Sequence, residues 1–556
     1  MGLEFEKGLY LGIDFCTTNT VVSVFDYDRG EVETLPLDGQ MIMPTVVQFE
    51  EDDEQPGKLN AVYGVEAKEA AIIFHESTVM SIKRLLGKDN PVTITIEGKH
   101  YDFKPEDIVA QILGHIKSLA GSYLQEEQYI TGEFSGCVIT VPANSTDKQK
   151  HRMLQAAIGA GFLEDHIYLR LEPAAAAITY ANTASKDSKV LVYDFGGGTF
   201  DACLLKLSAM TEEEPEISIM STYGDNYLGG NDMDKLMMDM IYDAFLETTK
   251  GTIDLFDLSK DDGVSAKEKK MARVRLYQAA NQAKERLSTT GSAKIVLAPF
   301  LQEPTIVNLN LEITRQAYYN HKRHHRMDDD ADSYALMSGA TVTSLVERTI
   351  GCVEKCIEAA GILAKEVDEV FLVGGSSAMP IVHEQIEDLF GKAPYQSAIS
   401  PALSISQGAA HYCHMIMLPT VAGPRVLDTT IHPLGLEIAG RRFLEVIPEG
   451  MLIPEEGLIV EAETLLYTNF DGITSLAIVL YEDTEPISGP KHLRFVHEQG
   501  MKRLGGTTLN HIPEAVKGEE KVKVTFKLNR DNLLTVTASS VSQGGVSTEL
   551  SVEALY

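Results

Sequence analysis

The sequence predicts a mixed α/β domain followed by an all-β domain. Up to about residue 410, apolar runs typical of strands alternate with helical patterns such as 105–124 and 266–287, and this alternation is typical of α/β folds. From about Thr430 onward the apolar runs are short and alternating, with Gly and Pro turns between them and no long helical pattern. A stretch at 418–429 that contains Pro and Gly separates the two regions as a linker.

Two segments of the α/β region match each other in pattern. Leu9–Asp14 is an apolar run that ends in Asp, and the turn FCTTN and a returning strand at 21–25 follow it. Val190–Asp194 also ends in Asp, and FGGGT and a strand at 200–207 follow it. The match predicts an internal duplication of one β-hairpin.

These hairpins indicate a phosphate site. The backbone N–H groups of a tight turn form a concavity that binds anions, and glycine lets a backbone approach closely. The strand-terminal carboxylates Asp14 and Asp194 are suited to hold magnesium through water, because Mg²⁺ keeps several water ligands. A third strand, Val370–Val373, runs into a similar turn, Gly374–Ser377. A single GGG turn is usually only structural, but two facing hairpins would hold a polyphosphate from both sides.

The composition excludes two classes of partner. With 556 residues, 44% of them hydrophobic, the chain can bury several cores. Its formal net charge of −33 means that nucleic acid and anionic membrane surfaces would repel it. We find no secretory signal and no apolar run long enough to span a bilayer. Six scattered cysteines indicate reduced thiols, so we predict a cytoplasmic protein.

Two further features leave metal binding open as an alternative. Cys352 and Cys356 lie four residues apart on a helical pattern, where helix packing is the favoured interpretation. The stretch NHKRHHRMDDDAD at 320–332 is basic and then acidic. We interpret it as a solvated loop, and metal binding by His321, His324 and His325 is the less favoured alternative.

Seven motifs follow one another along the chain: GIDFCTTNT (12–20), VITVPA (138–143), LEPAAAAITYA (171–181), YDFGGGTFD (193–201), DNYLGGND (225–232), AKERLS (283–288) and VFLVGGSS (370–377). Their sequences and their order resemble those of the heat shock protein 70 chaperones. The resemblance covers essentially the whole chain. It implies an actin-like ATPase domain of two lobes, built on duplicated ribonuclease H-like units, at 1–417. A linker at 418–429 and a peptide-binding β-sandwich at 430–556 would follow.

The resemblance also implies roles for individual residues, with ATP or ADP, Mg²⁺ and in addition K⁺ as cofactors. Lys83 would position the attacking water, Glu172 would lie beside it, and Pro142 would be an interdomain switch partnered by Lys150. The implied catalytic residues are Lys83, Glu172, Asp194, Thr199 and Asp201, and Asp14 and Asp194 would hold the metal through water. The implied nucleotide-binding residues are Gly12, Asp14, Cys16, Thr17, Thr18, Asn19, Gly196, Gly197, Gly198, Thr199, Gly229, Gly230, Asn281, Lys284, Glu285, Ser288, Gly374, Gly375 and Ser376.

Several of these positions depart from the family pattern. Cys16 replaces a glycine, and its side chain would crowd the γ-phosphate and slow hydrolysis. The two arginines that stack on adenine in the family correspond here to Glu285 and Ala378, and the ribose-contacting glutamate corresponds to Asn281. Loss of the stacking guanidiniums would cost about 1–2 kcal/mol each. We therefore predict weaker and less base-selective nucleotide binding.

The second domain departs from the family pattern as well. The linker core is reduced to Val426–Asp428, which predicts weaker docking because less apolar area is buried. An approximate alignment places Leu436, Ile438, Leu465, Ser475 and Ala477 in the peptide pocket, with the last two making it shallow. The sequence ends at Tyr556 after a β pattern, which predicts a sandwich without a helical lid and rapid peptide release.

The favoured function is an ATP-dependent chaperone that binds extended or unfolded polypeptide. An ordinary J-domain partner is not expected, because Tyr168, Leu171 and Ala174 occupy the family's contact positions. The first alternative is a non-hydrolysing scaffold for a dedicated protein partner, motivated by Cys16 and Glu285. The second is a small-molecule kinase of the same superfamily, against which the β domain argues.

Overall fold

We describe a computed structural model of the chain. It describes residues 10–26, 29–52, 55, 57–71, 73–126, 134, 136–143, 145–181, 187–208, 216–225, 227–327, 337–395, 399–417, 425–430, 432–448, 451–453, 460–467, 471–483, 494–529, 533–541 and 547–551. Within these ranges no helix is long and apolar enough to cross a membrane.

The first half of the α/β region contains a mixed sheet with helices. Its strands are β1 (Tyr10–Phe15), β2 (Asn19–Asp26), β3 (Glu31–Thr34), β4 (Met43–Pro44), β5 (Val46–Glu51), β6 (Leu59–Tyr63), β7 (Thr78–Met80), β8 (Val92–Ile96), β9 (Lys99–Phe103), β10 (Gly136–Val141) and β11 (Ile167–Leu171). Its helices are α1 (Gly64–Ala70), α2 (Pro105–Glu126), α3 (Asp147–Gly159) and α4 (Glu172–Ala181), with 3₁₀ turns at Ile82–Leu85 and Glu164–His166. The main sheet has the strand order β11-β10-β1-β2-β3.

The second half repeats this plan. Its strands are β12 (Ser188–Phe195), β13 (Phe200–Leu207), β14 (Glu216–Asp225), β15 (Ser292–Leu301), β16 (Val307–Thr314) and β17 (Glu369–Val373). Its helices are α5 (Gly230–Thr249), α6 (Ala266–Thr289), α7 (Arg315–Asn320), α8 (Val342–Ala359), α9 (Pro380–Phe390) and α10 (Ser404–Met417), with 3₁₀ turns at Ala364–Glu366 and Gly375–Ala378. The main sheet begins with the strand order β17-β12-β13-β14.

The two sheets confirm the predicted duplication. In each, the first strand of the hairpin pairs antiparallel with the second and parallel with a later strand: β1 with β10, and β12 with β17. Every residue of β1 is buried, as expected for strands covered on both faces. Gly12 allows α10 to lie directly on β1, because a Cβ there would be 2.3 Å from the backbone nitrogen of Ala410.

The α/β region has two buried apolar cores, and the first also includes residues of the second half such as Val192. Ile13, Val138 and Ile139 belong to the first core, and Tyr193 and Phe245 belong to the second. The predicted cysteine pair lies on α8 in the second core, where both Cys352 and Cys356 are buried. Helix packing is therefore the role of this pair.

The C-terminal region is a β-sandwich. Its strands are β18 (Arg425–Thr429), β19 (Leu434–Ile438), β20 (Arg442–Ile447), β21 (Leu452–Ile453), β22 (Val460–Tyr467), β23 (Ser475–Asp483), β24 (Met501–Asn510), β25 (Lys521–Leu528), β26 (Leu534–Ser540) and β27 (Ser547–Ser551). The two sheets of the sandwich have the orders β20-β19-β23-β24 and β22-β25-β26-β27. A third apolar core, which includes Leu436, Ile478 and Phe526, fills the space between them.

The register of β23 corrects the predicted peptide pocket. Leu436 pairs with Leu480, and both side chains are fully buried in the sandwich core. Because successive strand residues point to opposite faces, Ser475 and Ala477 lie on the other face, where they are exposed. The prediction that they line one pocket with Leu436 is therefore wrong, because the two sets of side chains lie on opposite faces of the sheet. The side chain of Leu465 lies outside the described residues.

The described part of the predicted linker is a strand. β18 pairs in parallel with β14 of the second half, with Ile217 opposite Val426, and antiparallel with β21 of the C-terminal region. One hydrogen-bonded sheet therefore continues from the second hairpin, through the linker, to the C-terminal region.

Candidate functional site

A cleft of about 450 Å³ lies between the two hairpins, and we call it the interhairpin cleft. It contains most of the predicted site residues. Those lining it are Asp14, Cys16, Thr17, Thr18, Asn19, Lys83, Glu172, Asp194, Gly196, Gly197, Gly198, Thr199, Asn281, Lys284, Glu285, Ser288, Gly374, Gly375 and Ser376. The other predicted residues do not line the cleft; they are Gly12, Asp201, Gly229 and Gly230.

The two hairpin turns have the same local geometry. In the first, the Cys16 backbone N–H donates to the Asn19 carbonyl at 3.1 Å, and in the second the Gly196 N–H donates to the Thr199 carbonyl at 3.1 Å. Each turn begins two residues after its strand-terminal carboxylate. The equivalence places a loop of backbone amides at matching positions on both sides of the cleft.

The turns pack against each other at their tips. A Cβ on Gly197 would lie 2.1 Å from the Thr18 hydroxyl oxygen, and one on Gly198 would lie 2.8 Å from the Thr17 hydroxyl oxygen. Glycine is therefore required by the close approach of the two loops. The Thr18 hydroxyl is buried and makes no hydrogen bond within the described part of the chain. A phosphate oxygen between the loops would satisfy it.

A buried group of carboxylates lies beneath the turns. Lys83 Nζ donates to Glu172 Oε1 at 2.7 Å, although the two residues are far apart in sequence. Asp14 Oδ1 accepts hydrogen bonds from the Thr140 hydroxyl and the Cys16 thiol, each at 3.1 Å. Thr140 was not predicted, and its place on β10 beside β1 brings it there.

The carboxylates raise one another's pKa. Burial and the Glu172 charge raise the pKa of Asp14 to about 6. Burial, with Glu172, Asp201 and Asp14 nearby, raises the pKa of Asp194 well above its ordinary value. Burial lowers the pKa of Lys83, but the charges of Glu172 and Asp14 and the hydrogen bond to Glu172 outweigh it and raise that pKa. Negative groups thus outnumber the single lysine, and the donor set fits a hard divalent cation such as Mg²⁺.

The opposite end of the cleft lies between α6 and the turn after β17. Lys284 Nζ forms an ion pair with Asp234 Oδ1 at 2.8 Å and donates to the Gly230 carbonyl at 3.1 Å. The Asn281 amide donates to both Asp234 oxygens at 3.3 Å. Both predicted contacts are therefore held by Asp234, which sequence reasoning missed. Its signal was the second Asp of the sequence GGNDMD at the start of α5.

Three further groups donate hydrogen bonds to the carbonyls of the second turn. Ser376 Oγ donates to the Gly196 carbonyl at 2.9 Å, as does the Gly230 backbone N–H at 2.9 Å. The Arg84 guanidinium donates to the Gly198 carbonyl and was not predicted, although it follows Lys83 directly. The second turn is therefore braced from three sides.

The family model described as Hsp70 protein matches residues 10–324 and 335–555. The chain belongs to the Hsp70 family. Hsp70 proteins are ATPases with an actin-like nucleotide-binding domain and a β-sandwich, so the fold and the enzyme class that the resemblance implied are confirmed.

This Hsp70 is similar to bacterial proteins named chaperone protein DnaK. The protein of Thermotoga petrophila is 32% identical over 546 residues, which cover 97% of this chain and 79% of that protein. The Thermotoga neapolitana protein matches to the same extent. The Thermosipho melanesiensis protein is 31% identical over 554 residues, covering 98% of this chain and 80% of that protein.

Proposed function

We propose that this Hsp70 is an ATP-dependent chaperone that hydrolyses ATP in the interhairpin cleft and thereby changes how its β-sandwich binds an extended polypeptide. One observation carries the proposal: two equivalent turns pack tip to tip above buried carboxylates and one lysine. Phosphoryl transfer to water depends on positioning and charge stabilisation more than on covalent chemistry, and this arrangement supplies both.

The phosphate end would work through its fixed groups. The backbone amides of 16–19 and 196–199 and the Thr17, Thr18 and Thr199 hydroxyls would hold the phosphate oxygens. The Lys83 ammonium, fixed by Glu172 at 2.7 Å, would orient the attacking water and stabilise the negative charge of the transition state. Because Glu172 is buried, the ammonium is held in one place rather than sampling solvent.

Magnesium fits the carboxylates Asp14 and Asp194, with Asp201 behind them. Bound there through water, Mg²⁺ would neutralise charge on the phosphates. We also propose that potassium assists at this end, as the family resemblance implies. The three aspartates are 2–6% exposed, and a bound cation would add to the Lys83 ammonium in balancing their charge.

The base end supports altered adenine recognition. Glu285 and Ala378 line the cleft where the family has stacking arginines, and Lys284 is committed to Asp234. No guanidinium of the described residues lines this cleft. We therefore propose weak selectivity between adenine and other bases, with affinity supplied mainly by the phosphates.

The linker supports coupling between the two domains, for which we retain the proposed boundaries 1–417, 418–429 and 430–556. β13 leaves the second turn and pairs with β14, β14 pairs with β18, and β18 pairs with β21. A change at the second turn is thus transmitted through adjacent strands to the sandwich. The three-residue register of β18 on β14 makes this contact easy to break, which a two-state coupling requires.

The proposed partner is an extended polypeptide, bound by main-chain hydrogen bonds on the sandwich. An ordinary J-domain partner is not proposed, because Leu171 and Ala174 are buried and leave Tyr168 alone partly accessible among the three mapped positions. Nucleic acid and membranes are not proposed either, in view of the net charge of −33. The predicted cytoplasmic location and the predicted lack of a lid stay predictions.

Hydrolysis measurements test the proposal. We expect Lys83→Ala and Asp194→Ala to lower single-turnover ATP hydrolysis by about 10²–10³-fold, since each removes a group that stabilises the transition state. Lys104→Ala, which changes an exposed lysine of the same half, is the matched control and should hydrolyse normally.

Peptide dependence tests the coupling. Hydrolysis by the wild type should rise when an extended hydrophobic peptide is added. Nucleotide binding without hydrolysis would instead favour the scaffold alternative, and phosphorylation of a metabolite would favour the kinase alternative.

A further inference from the structure

The segment that follows α7 packs its histidines against α5. Asp239 and Asp243 are one turn apart on α5 and therefore share a face. His324 Nε2 and His325 Nε2 lie 2.9 and 2.8 Å from Asp243 Oδ1. His324 Nδ1 lies 3.1 Å from Asp239 Oδ2. We call Asp239, Asp243, His324 and His325 the histidine cluster.

The donor atoms of the cluster have the spacing of a metal site. One ligand atom from each of the four residues lies within 4.8 Å of the other three. In a tetrahedral zinc site with bonds of about 2.0–2.1 Å, the ligand atoms are about 3.3 Å apart. The two Nε2 atoms lie 2.9 and 2.8 Å from Asp243 Oδ1, and these distances need only a small opening to reach this spacing. Two imidazoles and two carboxylates are also a ligand set that zinc accepts.

Neighbouring backbone groups and His321 hydrogen-bond to the ligand residues and orient them, as such contacts do in known metal sites. His324 Nδ1 lies 2.9 Å from the Lys322 carbonyl, and an N–H there fixes the tautomer in which Nε2, 2.9 Å from Asp243 Oδ1, is the ligand atom. The backbone N–H groups of His324 and His325 donate to Asp239 Oδ1 at 3.1 and 2.8 Å. His321 Nε2 contacts Asp239 Oδ2 at 3.0 Å. Asp239 is thus held in place while its second oxygen faces the cluster.

The cluster can be reached from solvent. Asp239 is fully buried, whereas the side chains of Asp243 and His324 are 36% and 50% exposed. A metal ion could therefore enter without unfolding of either element. This combination of one buried anchor and accessible ligands differs from a solvated loop, which was the favoured interpretation of the sequence.

We propose that the histidine cluster binds one divalent transition-metal ion, with zinc as the best match, and that the ion fastens the 321–327 segment to α5. The site is separate from the proposed ATPase chemistry. Asp239 lies nine residues beyond Gly230, which at about 1.5 Å per residue places it about 14 Å along the helix from the second turn. The less favoured alternative of the sequence, metal binding by this stretch, becomes the preferred one, with His324 and His325 as ligands and His321 as a positioning residue.

Zinc titration of the full chain tests the proposal. The protein is stripped with EDTA, supplied with excess Mg²⁺ and ADP to occupy the interhairpin cleft, and titrated with ZnCl₂ against a chromogenic chelator. We expect one tightly bound equivalent in the wild type and its loss, by at least a hundredfold in affinity, in His324→Ala/His325→Ala. His100→Ala, at an exposed histidine of the first half, should bind zinc like the wild type.

Two variants separate a metal site from a hydrogen-bonded contact. His321→Ala removes a positioning contact only and should weaken zinc binding about tenfold without abolishing it. Asp243→Asn keeps the side-chain shape and should weaken zinc binding at least tenfold. If the double histidine variant does not fold, this variant tests by itself whether the cluster binds zinc. The proposal is overturned if the wild type and Asp243→Asn bind zinc with equal affinity, or if the wild type binds no equivalent of zinc. The cluster would then be a proton-bridged contact between the histidines and the two aspartates.

Discussion

The two ends of the interhairpin cleft are held by different kinds of groups. The phosphate end consists mainly of backbone amides, glycines and buried carboxylates, and the two turns there share one hydrogen-bond pattern. The base end consists of side chains from α6 and from the turn after β17, and Glu285 and Ala378 replace the arginines that the family resemblance leads one to expect. Closely packed backbone leaves no room for added side-chain atoms, whereas the side chains of a surface can be substituted one at a time. Even a small substitution at the phosphate end should therefore lower ATP affinity, whereas the base end should tolerate large substitutions.

The largest effect on ATP affinity is expected when a methyl group is added at the tip of the second turn. In Gly197→Ala the new Cβ would lie 2.1 Å from the Thr18 hydroxyl oxygen, so the two loops must separate. Overpacking of this kind costs about 1–3 kcal/mol, and we expect ATP affinity to fall about 10–100-fold in calorimetry. Gly375→Ala is the matched control from the other end of the cleft, because its Cβ would meet nothing within 4 Å. If both variants lost ATP affinity equally, the two ends of the cleft would not differ in their tolerance of substitution.

Restoring guanidiniums at the base end is the reverse test. Glu285→Arg/Ala378→Arg places two cations beside the base, and each cation–π contact contributes about 0.5–2 kcal/mol. We expect ATP to bind at least tenfold more tightly than in the wild type and the ratio of ATP to GTP affinity to rise.

The control for the double arginine variant is Glu285→Gln/Ala378→Gln, which removes the same negative charge without adding a guanidinium. If this variant gains as much affinity as the arginine pair, loss of charge repulsion explains the effect and stacking does not. Tight and adenine-selective binding by the unmodified protein would contradict the altered-base proposal directly.

Cys16 is the one side chain that departs from the family pattern at the phosphate end, and its removal sharpens the comparison. Its thiol donates to Asp14 at 3.1 Å, and burial followed by the Asp14 charge raises its pKa well above the ordinary value, so it stays protonated. Cys16→Gly should raise the single-turnover rate about threefold, equivalent to about 0.6 kcal/mol. Cys413→Ala, at a buried cysteine on α10, is the control. A slower Cys16→Gly enzyme would mean that the thiol supports Asp14 rather than crowding the phosphate.

Much of the phosphate end could be predicted from the sequence because its signals are local. A strand, a terminal Asp and a Gly- or Thr-rich turn occupy about ten consecutive residues, and the second copy at Asp194 strengthened the first at Asp14. The same reasoning missed Asp234 and Arg84. Their partners, Lys284 and Gly198, are 50 and 114 positions away, and no periodicity links such positions. In the sandwich, the prediction grouped Ser475 and Ala477 with Leu436, although strand side chains alternate and these residues lie on opposite faces.

The sequence by itself determined the elements of this protein: the duplicated hairpins, the change from α/β to all-β, and the family. Those features depend on hydrophobic period and turn chemistry, which act between neighbouring residues. Only the tertiary structure decided which distant groups meet, such as Lys83 with Glu172, and Asp239 with His324. Such contacts depend on how whole helices and sheets pack against one another. The free energy that packs these elements comes mainly from apolar cores elsewhere in the chain. For that reason a histidine-rich stretch that resembles a solvated loop in the sequence can be part of an ordered cluster in the fold.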